Sequence, residues 1–177
     1  FREISAYFRL LTETIHEVFW LSDIESRQLL YISPGFERVF GRPVSVLEPA
    51  RKKILDFLLE EDKERGYQLF RAIERGDTLN EEIRIVRPDG TIRWLSVRGT
   101  STEFPETGKR YSVGVAIDIT DRKEAEIELS QSLSLLSAAM DCTADGILIV
   151  DRSGKVSGYN QRFAELWRIP EIVLASR

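Results

Sequence analysis

Apolar residues Ile4, Phe8, Leu11 and Ile15 recur at helical spacing, which predicts an amphipathic helix over residues 1–15. Two short runs rich in β-branched and aromatic residues follow, "VFWLSD" and "QLLYIS". The polar stretch "DIESR" separates them, and together they predict a hairpin. Ser33-Pro34 offers an N-cap and a first-turn proline to a short helix, "PGFERVFG", that stops at Gly41. The next segment, with Leu55, Leu58, Leu59, Tyr67, Phe70 and Ile73, predicts irregular helical turns. A regular helix then runs from about Glu61 to Arg75 and ends at Gly76. "NEEIRIVRPDGTIRWLSVRGTS" predicts a second hairpin turning at Pro88-Asp89-Gly90. "GKRYSVGVAIDIT" alternates with period two, Tyr111, Val113, Val115 and Ile117 on one face and Ser112, Gly114 and Ala116 on the other. Two strands, then helices, then three strands make an α+β domain around an antiparallel sheet.

Beyond that last strand the pattern changes. "DRKEAEIELSQSLSLLSAAMD" lacks Gly and Pro and predicts one continuous helix. Its Leu129, Leu133, Leu136 and Met140 follow a four-three-four spacing for about two heptads. These leucines need cover, so the helix is expected either to dimerise or to serve as a solvated connector. The tail "ADGILIVDRSGKVSGYNQRFAELWRIPEIVLASR" then repeats the strand–turn–strand–helix order seen from Val18 to Gly41, about 128 residues on. The repeat stops before a long helix and three further strands, and "EIVLASR" ends in a helical pattern, so an excerpt of a longer protein is expected.

Composition narrows the function classes. The chain has 177 residues, 42% hydrophobic and 31% charged, enough for a packed core. Net charge is -4 and there is no basic stripe, which argues against nucleic acid as the partner. No window holds the roughly 18 apolar residues of a membrane span. A single cysteine, Cys142, cannot form an internal disulfide and fits a reducing, cytoplasmic compartment.

"YISPGFERVFGRP", "RPDGTIRWL" and "GVAIDITDRKEAE", in this order and spacing, resemble the PAS superfamily, in the variety followed by a PAC-type motif. The resemblance covers roughly residues 14–120. The tail "DGILIVDRSGKVSGYNQRFAEL" separately resembles the opening of another PAS domain, with Asn160 at the strand–helix junction. The resemblance implies a PAS fold: a five-stranded antiparallel sheet with short helices on one face, flanked by N- and C-terminal helices. It implies an organisation of N-terminal helix (1–15), PAS/PAC domain (16–120), linker helix (121–138) and incomplete second PAS domain (139–177). It further implies a non-catalytic, cytoplasmic sensory module that forms a homodimer. A small-molecule ligand or a partner would act on it. The C-terminal helix would then signal to an output domain in cis, a histidine kinase or a cyclic-di-GMP enzyme of GGDEF/EAL type. A ligand-free dimerisation spacer is the alternative.

The candidate chemistry is sparse. A haem needs an axial ligand, and the sole histidine, His16, lies before the first strand. A cysteine-adduct flavin needs a cysteine near "SPGFERVF", which has none. Both cofactors are disfavoured, leaving the cofactor unknown, and no residue set has metal-site spacing. Glu60-Glu61-Asp62 fits a helix start, complementing the dipole, better than acid–base catalysis, since no nucleophile accompanies it. Phe19, Trp20, Tyr31, Phe36, Phe40, Phe57, Phe70 and Trp94 either line a ligand pocket or form plain core, with Arg84 a possible polar anchor. Asp118 and Thr120 sit where the last strand meets the linker helix. Both side chains bond backbone readily and either can cap that helix. The PAS resemblance implies that Asp118 and Thr120 also couple the strand to the helix, and dimerisation is assigned to Leu129, Leu133 and Leu136.

Overall fold

The computed structural model describes residues 7, 10, 12, 14–47 and 51–169. The expected N-terminal helix lies largely outside the described residues, as does the "EIVLASR" tail. The chain divides into two compact units, residues 1–123 and 124–177.

In the first unit, β1 (Val18–Asp23) and β2 (Leu29–Ile32) form the predicted hairpin. Helix α1 (Gly35–Phe40) follows, then 3-10 turns at Val44–Leu47, Arg51–Phe57 and Glu60–Asp62. Helix α2 (Lys63–Arg75) ends at Gly76, whose φ of 105° is open to glycine. Strands β3 (Leu79–Val86), β4 (Ile92–Glu103) and β5 (Arg110–Asp118) complete an antiparallel sheet of order β2-β1-β5-β4-β3. This is the α+β architecture expected, with the helical segments packed on one sheet face.

Strand alternation sets which face is covered. Val18, Ile83, Ile85, Leu95 and Ala116 are buried beneath the helices together with Phe36, Val39, Phe40, Leu55, Leu58 and Leu69. Counter to size, β5 turns its small residues inward: Ser112 and Ala116 are buried, and Val113 and Val115 lie on the outer face. The reason is Trp20. It pairs with Gly114, which pairs with Gly99, and a Cβ on Gly114 would stand 2.2 Å from the Trp20 ring. The two glycines make room for the indole across the sheet.

Ser33 does not cap α1 as its position predicts. Its hydroxyl accepts the Phe19 N–H (2.9 Å) and donates to the Glu17 carbonyl (2.8 Å), so it ties down the entry to β1 instead.

Helix α3 (Thr120–Asp141) begins in the first unit, and the boundary falls within it after Lys123. The second unit continues with β6 (Leu148–Val150), β7 (Val156–Tyr159) and α4 (Gln161–Trp167). It reproduces the opening of the first unit in detail. β1–β2 breaks register between Leu21 and Ser22, and β6–β7 at the matching place between Ile149 and Val150. Asn160 stands where Ser33 does: it accepts the Ile147 N–H (2.7 Å) and donates to the Asp145 carbonyl (2.9 Å). The longer amide also caps α4 through the Phe163 N–H (2.9 Å) and donates to the Met140 carbonyl at the end of α3 (2.7 Å).

Candidate functional site

A cavity of about 100 Å³ lies between the sheet and the helical cover. Its walls come from all five strands on one side and from Leu47, Ile54, Leu55, Leu58 and α2 on the other. The lining is apolar apart from Ser112 and the Trp20 indole, and the indole N–H donates to the Ser112 hydroxyl (3.2 Å). Gly66 on α2 lets the helix approach this wall, since a Cβ there would lie 2.3 Å from Leu58 Cδ1.

Of the nine side chains offered for a pocket from sequence, Trp20 and Phe70 line this cavity. The other seven lie elsewhere. Phe36 and Phe40 are buried and stacked at 4.5 Å between centroids, and Phe57 packs edge-on against Phe40 beneath the Arg42 guanidinium. Phe19 and Tyr31 belong to the outer sheet face, beside Leu21, Val113 and Val115. Arg84 and Trp94 are a cross-strand pair that also points outward, because their neighbours Ile83, Ile85 and Leu95 take the core positions. Period-two alternation leaves the choice of face open, and the core residues of β3 and β4 settle it.

That outward pair belongs to a charged chain of contacts. Asp62, at the N-terminus of α2, is 4% exposed. Its carboxylate accepts the Arg84 backbone N–H (2.8 Å), Nε (3.0 Å) and Nη2 (2.8 Å), while Glu61 takes Nη2 as well (2.9 Å). The Arg84 guanidinium holds the Asp62 carboxyl below its ordinary value, and the two carboxylates raise that of Arg84. Arg84 lies over the Trp94 ring at 5.3 Å, and Lys123 of α3 lies 5.6 Å from the same ring. Lys123 and Arg122 both pair with Glu82 of β3 (2.6 and 2.8 Å) and lower its carboxyl's pKa, Lys123 the more strongly. The acidic cluster thus does more than complement a dipole. Its partner stands 22 residues away, and no local sequence signal joins them.

The seam between β5 and α3 is equally well tied. The Thr120 N–H donates to Asp118 Oδ1 (3.0 Å), which also accepts the Thr120 hydroxyl, and Arg93 approaches Asp118 Oδ2 (3.7 Å). Thr120 is 3% exposed, and its oxygen accepts the Trp94 N–H (3.0 Å) while the Trp94 carbonyl accepts the Ile119 N–H (2.9 Å). Asp118 therefore satisfies the first helical donor. The Thr120 oxygen, which the sequence offers as a cap, binds β4 instead.

Leu129, Leu133 and Leu136 are 62%, 58% and 61% exposed along α3. His16 and Cys142 are exposed and neither lines the cavity. Among the described residues no group of His, Cys, Asp and Glu is placed to hold a metal ion, and no helix is long and apolar enough to cross a membrane.

This sheet order, with its helical cover, defines an α+β domain of the PAS fold. Residues 29–116 match the family described as PAS fold and residues 134–176 the family described as PAS domain, so the first unit is a PAS domain. A sensory box histidine kinase/response regulator from Burkholderia thailandensis has a similar solved structure. The TM-score is 0.55 at 26% identity, covering 73% of this chain and 96% of that one. The methanogenesis regulatory histidine kinase FilI of Methanothrix harundinacea is 29% identical over 136 residues, 75% of this chain and 15% of its own length. A blue-light-activated histidine kinase of Brucella anthropi is 28% identical over 130 residues, 70% of this chain and 24% of its own. The chain therefore spans a quarter or less of these relatives.

Proposed function

We propose that the chain is a cytoplasmic, non-catalytic sensory and dimerisation module of a multidomain signalling protein. A ligand or partner biases the first unit, and α3 carries that bias to an output domain in cis. The relatives' names support a histidine kinase output over a cyclic-di-GMP enzyme. Residues 139–177 are the opening of a second PAS domain, a reading supported by the family match over 134–176 and by the shared Ser33 and Asn160 pattern. The PAS/PAC domain takes 16–120 and the linker helix 121–138, with Leu129, Leu133 and Leu136 as its dimer seam.

The observation that carries this reading is the clasp of Trp94 on the start of α3. One residue of β4 bonds both Ile119 and Thr120 through its backbone, and its ring is flanked by Arg84 and Lys123. A shift of α2 that pulls on Asp62 and Arg84 reaches the helix through that ring. A ligand drives the shift only by its differential affinity for two arrangements. The competing reading, a ligand-free spacer, is favoured by the small cavity volume.

Thr120→Val keeps the shape and removes the acceptor for the Trp94 N–H. In the full-length protein it is expected to change basal output, measured as autophosphorylation rate, at least severalfold. The isolated chain should still melt cooperatively. Lowered stability with unchanged output would make the seam a structural tie alone and favour the spacer.

A further inference from the structure

The cavity's chemistry points beyond a generic ligand. We infer that it takes a compact, uncharged, apolar molecule of on the order of six heavy atoms. This deepens the sensory reading above and rests on it. Three observations carry the class. First, none of the lining residues is ionisable, so a charged ligand would lose its hydration with no counter-charge. Second, the polar pair on the wall, Trp20 Nε1 and Ser112 Oγ, is bonded internally, so a ligand rich in hydrogen-bonding groups would find few partners. Third, the volume of about 100 Å³ is below the usual 300–1,000 Å³ of larger ligand sites. It approaches that of an engineered apolar cavity of about 150 Å³ that takes benzene or xenon.

Gly66 sets the size limit. A Cβ there would stand 2.3 Å from Leu58 Cδ1 and 2.8 Å from Leu55 Cδ2, so any side chain drives both leucines toward the space they line. Ala116, 5% exposed on the opposite wall, offers an independent place to fill it.

The test is a titration of the whole chain with benzene, followed by the methyl resonances of Leu58, Leu69, Ile73 and Ile83, with benzoate as the charged comparison. Saturable shifts with benzene and none with benzoate are expected. Gly66→Ala should weaken benzene binding at least tenfold. Ala116→Val should do the same from the sheet side if the glycine variant fails to fold. No saturable shift with benzene in the folded chain overturns the inference, as does equal binding of benzoate or undiminished binding to both filled variants. The Thr120→Val measurement separates the two claims. Altered output without benzene binding overturns the ligand class and leaves the sensory reading standing.

Discussion

Asp62 shows how far a residue's role can lie from its neighbourhood in sequence. "LLEEDKERG" advertises a helix start rich in negative charge, and a helix does begin at Lys63. A carboxylate serving only the dipole would stay in solvent. Asp62 is buried, with Arg84 closing on it through three nitrogens. Loss of one partner of such a pair strands the other, and Asp62→Ala is expected to cost about 3 kcal/mol, the low end of the range because Arg84 keeps some access to water. The pair also fixes a pH dependence. The folded carboxyl titrates below its ordinary value because Arg84 donates to its ionised form. Its contribution is therefore full above about pH 4, the unfolded range, and disappears as pH falls through the folded value. Urea midpoints at pH 7 and pH 3 measure this: the gap between wild type and Asp62→Asn should narrow in acid. An equal gap at both values would mean the charge pair contributes nothing.

Elements were legible in the chain wherever one physical signal dominated. Both hairpins, the Gly76 stop of α2 and the long α3 follow from alternation, turn chemistry and helix formers, and each stands where these place it. Faces were less legible. β5 has a bulky face and a small face, and burial by bulk alone chooses wrongly, since the Trp20 indole needs Gly114 and Gly99 beneath it. The same ambiguity governs the site. Alternation gives Arg84 and Trp94 a shared face, yet their partners Asp62 and Lys123 lie on helices outside the sheet pattern. For α3 the leucine spacing is plain, and the exposure of Leu129, Leu133 and Leu136 leaves an apolar strip needing cover. Leu133→Asp with Leu136→Asp is expected to shift the chain from dimer toward monomer in sedimentation. The melting of the first unit should be preserved, because these side chains lie outside its core. Unchanged mass would remove the coiled-coil role.

At the scale of the molecule, the repeat explains why the two units should differ in stability although they open alike. The first unit places β1 between β2 and β5, so both edges of that strand are bonded and its inward side chains reach a core of helices. Among the described residues of the second, β6 pairs with β7 alone, and Leu148, Ile149, Val150 and Val156 are 43%, 43%, 53% and 45% exposed. A two-stranded hairpin is marginal in water, whereas three or more strands over an apolar face persist. Asn160, 1% exposed, ties this unit together, its amide joining the Met140, Asp145, Ile147 and Phe163 backbones. Amide exchange in the whole chain should then divide by unit. Amides of β4 and β5 should open only with global unfolding, and those of β6 and β7 should exchange at least tenfold faster. The Phe163 N–H, held by Asn160, should be the slower exception in the second unit. Asn160→Ala should erase that exception and leave the β4 and β5 amides unchanged. Equal protection of both sheets would instead mean that the exposed strip on β6 is covered in solution, and that the second unit is completed by a partner surface.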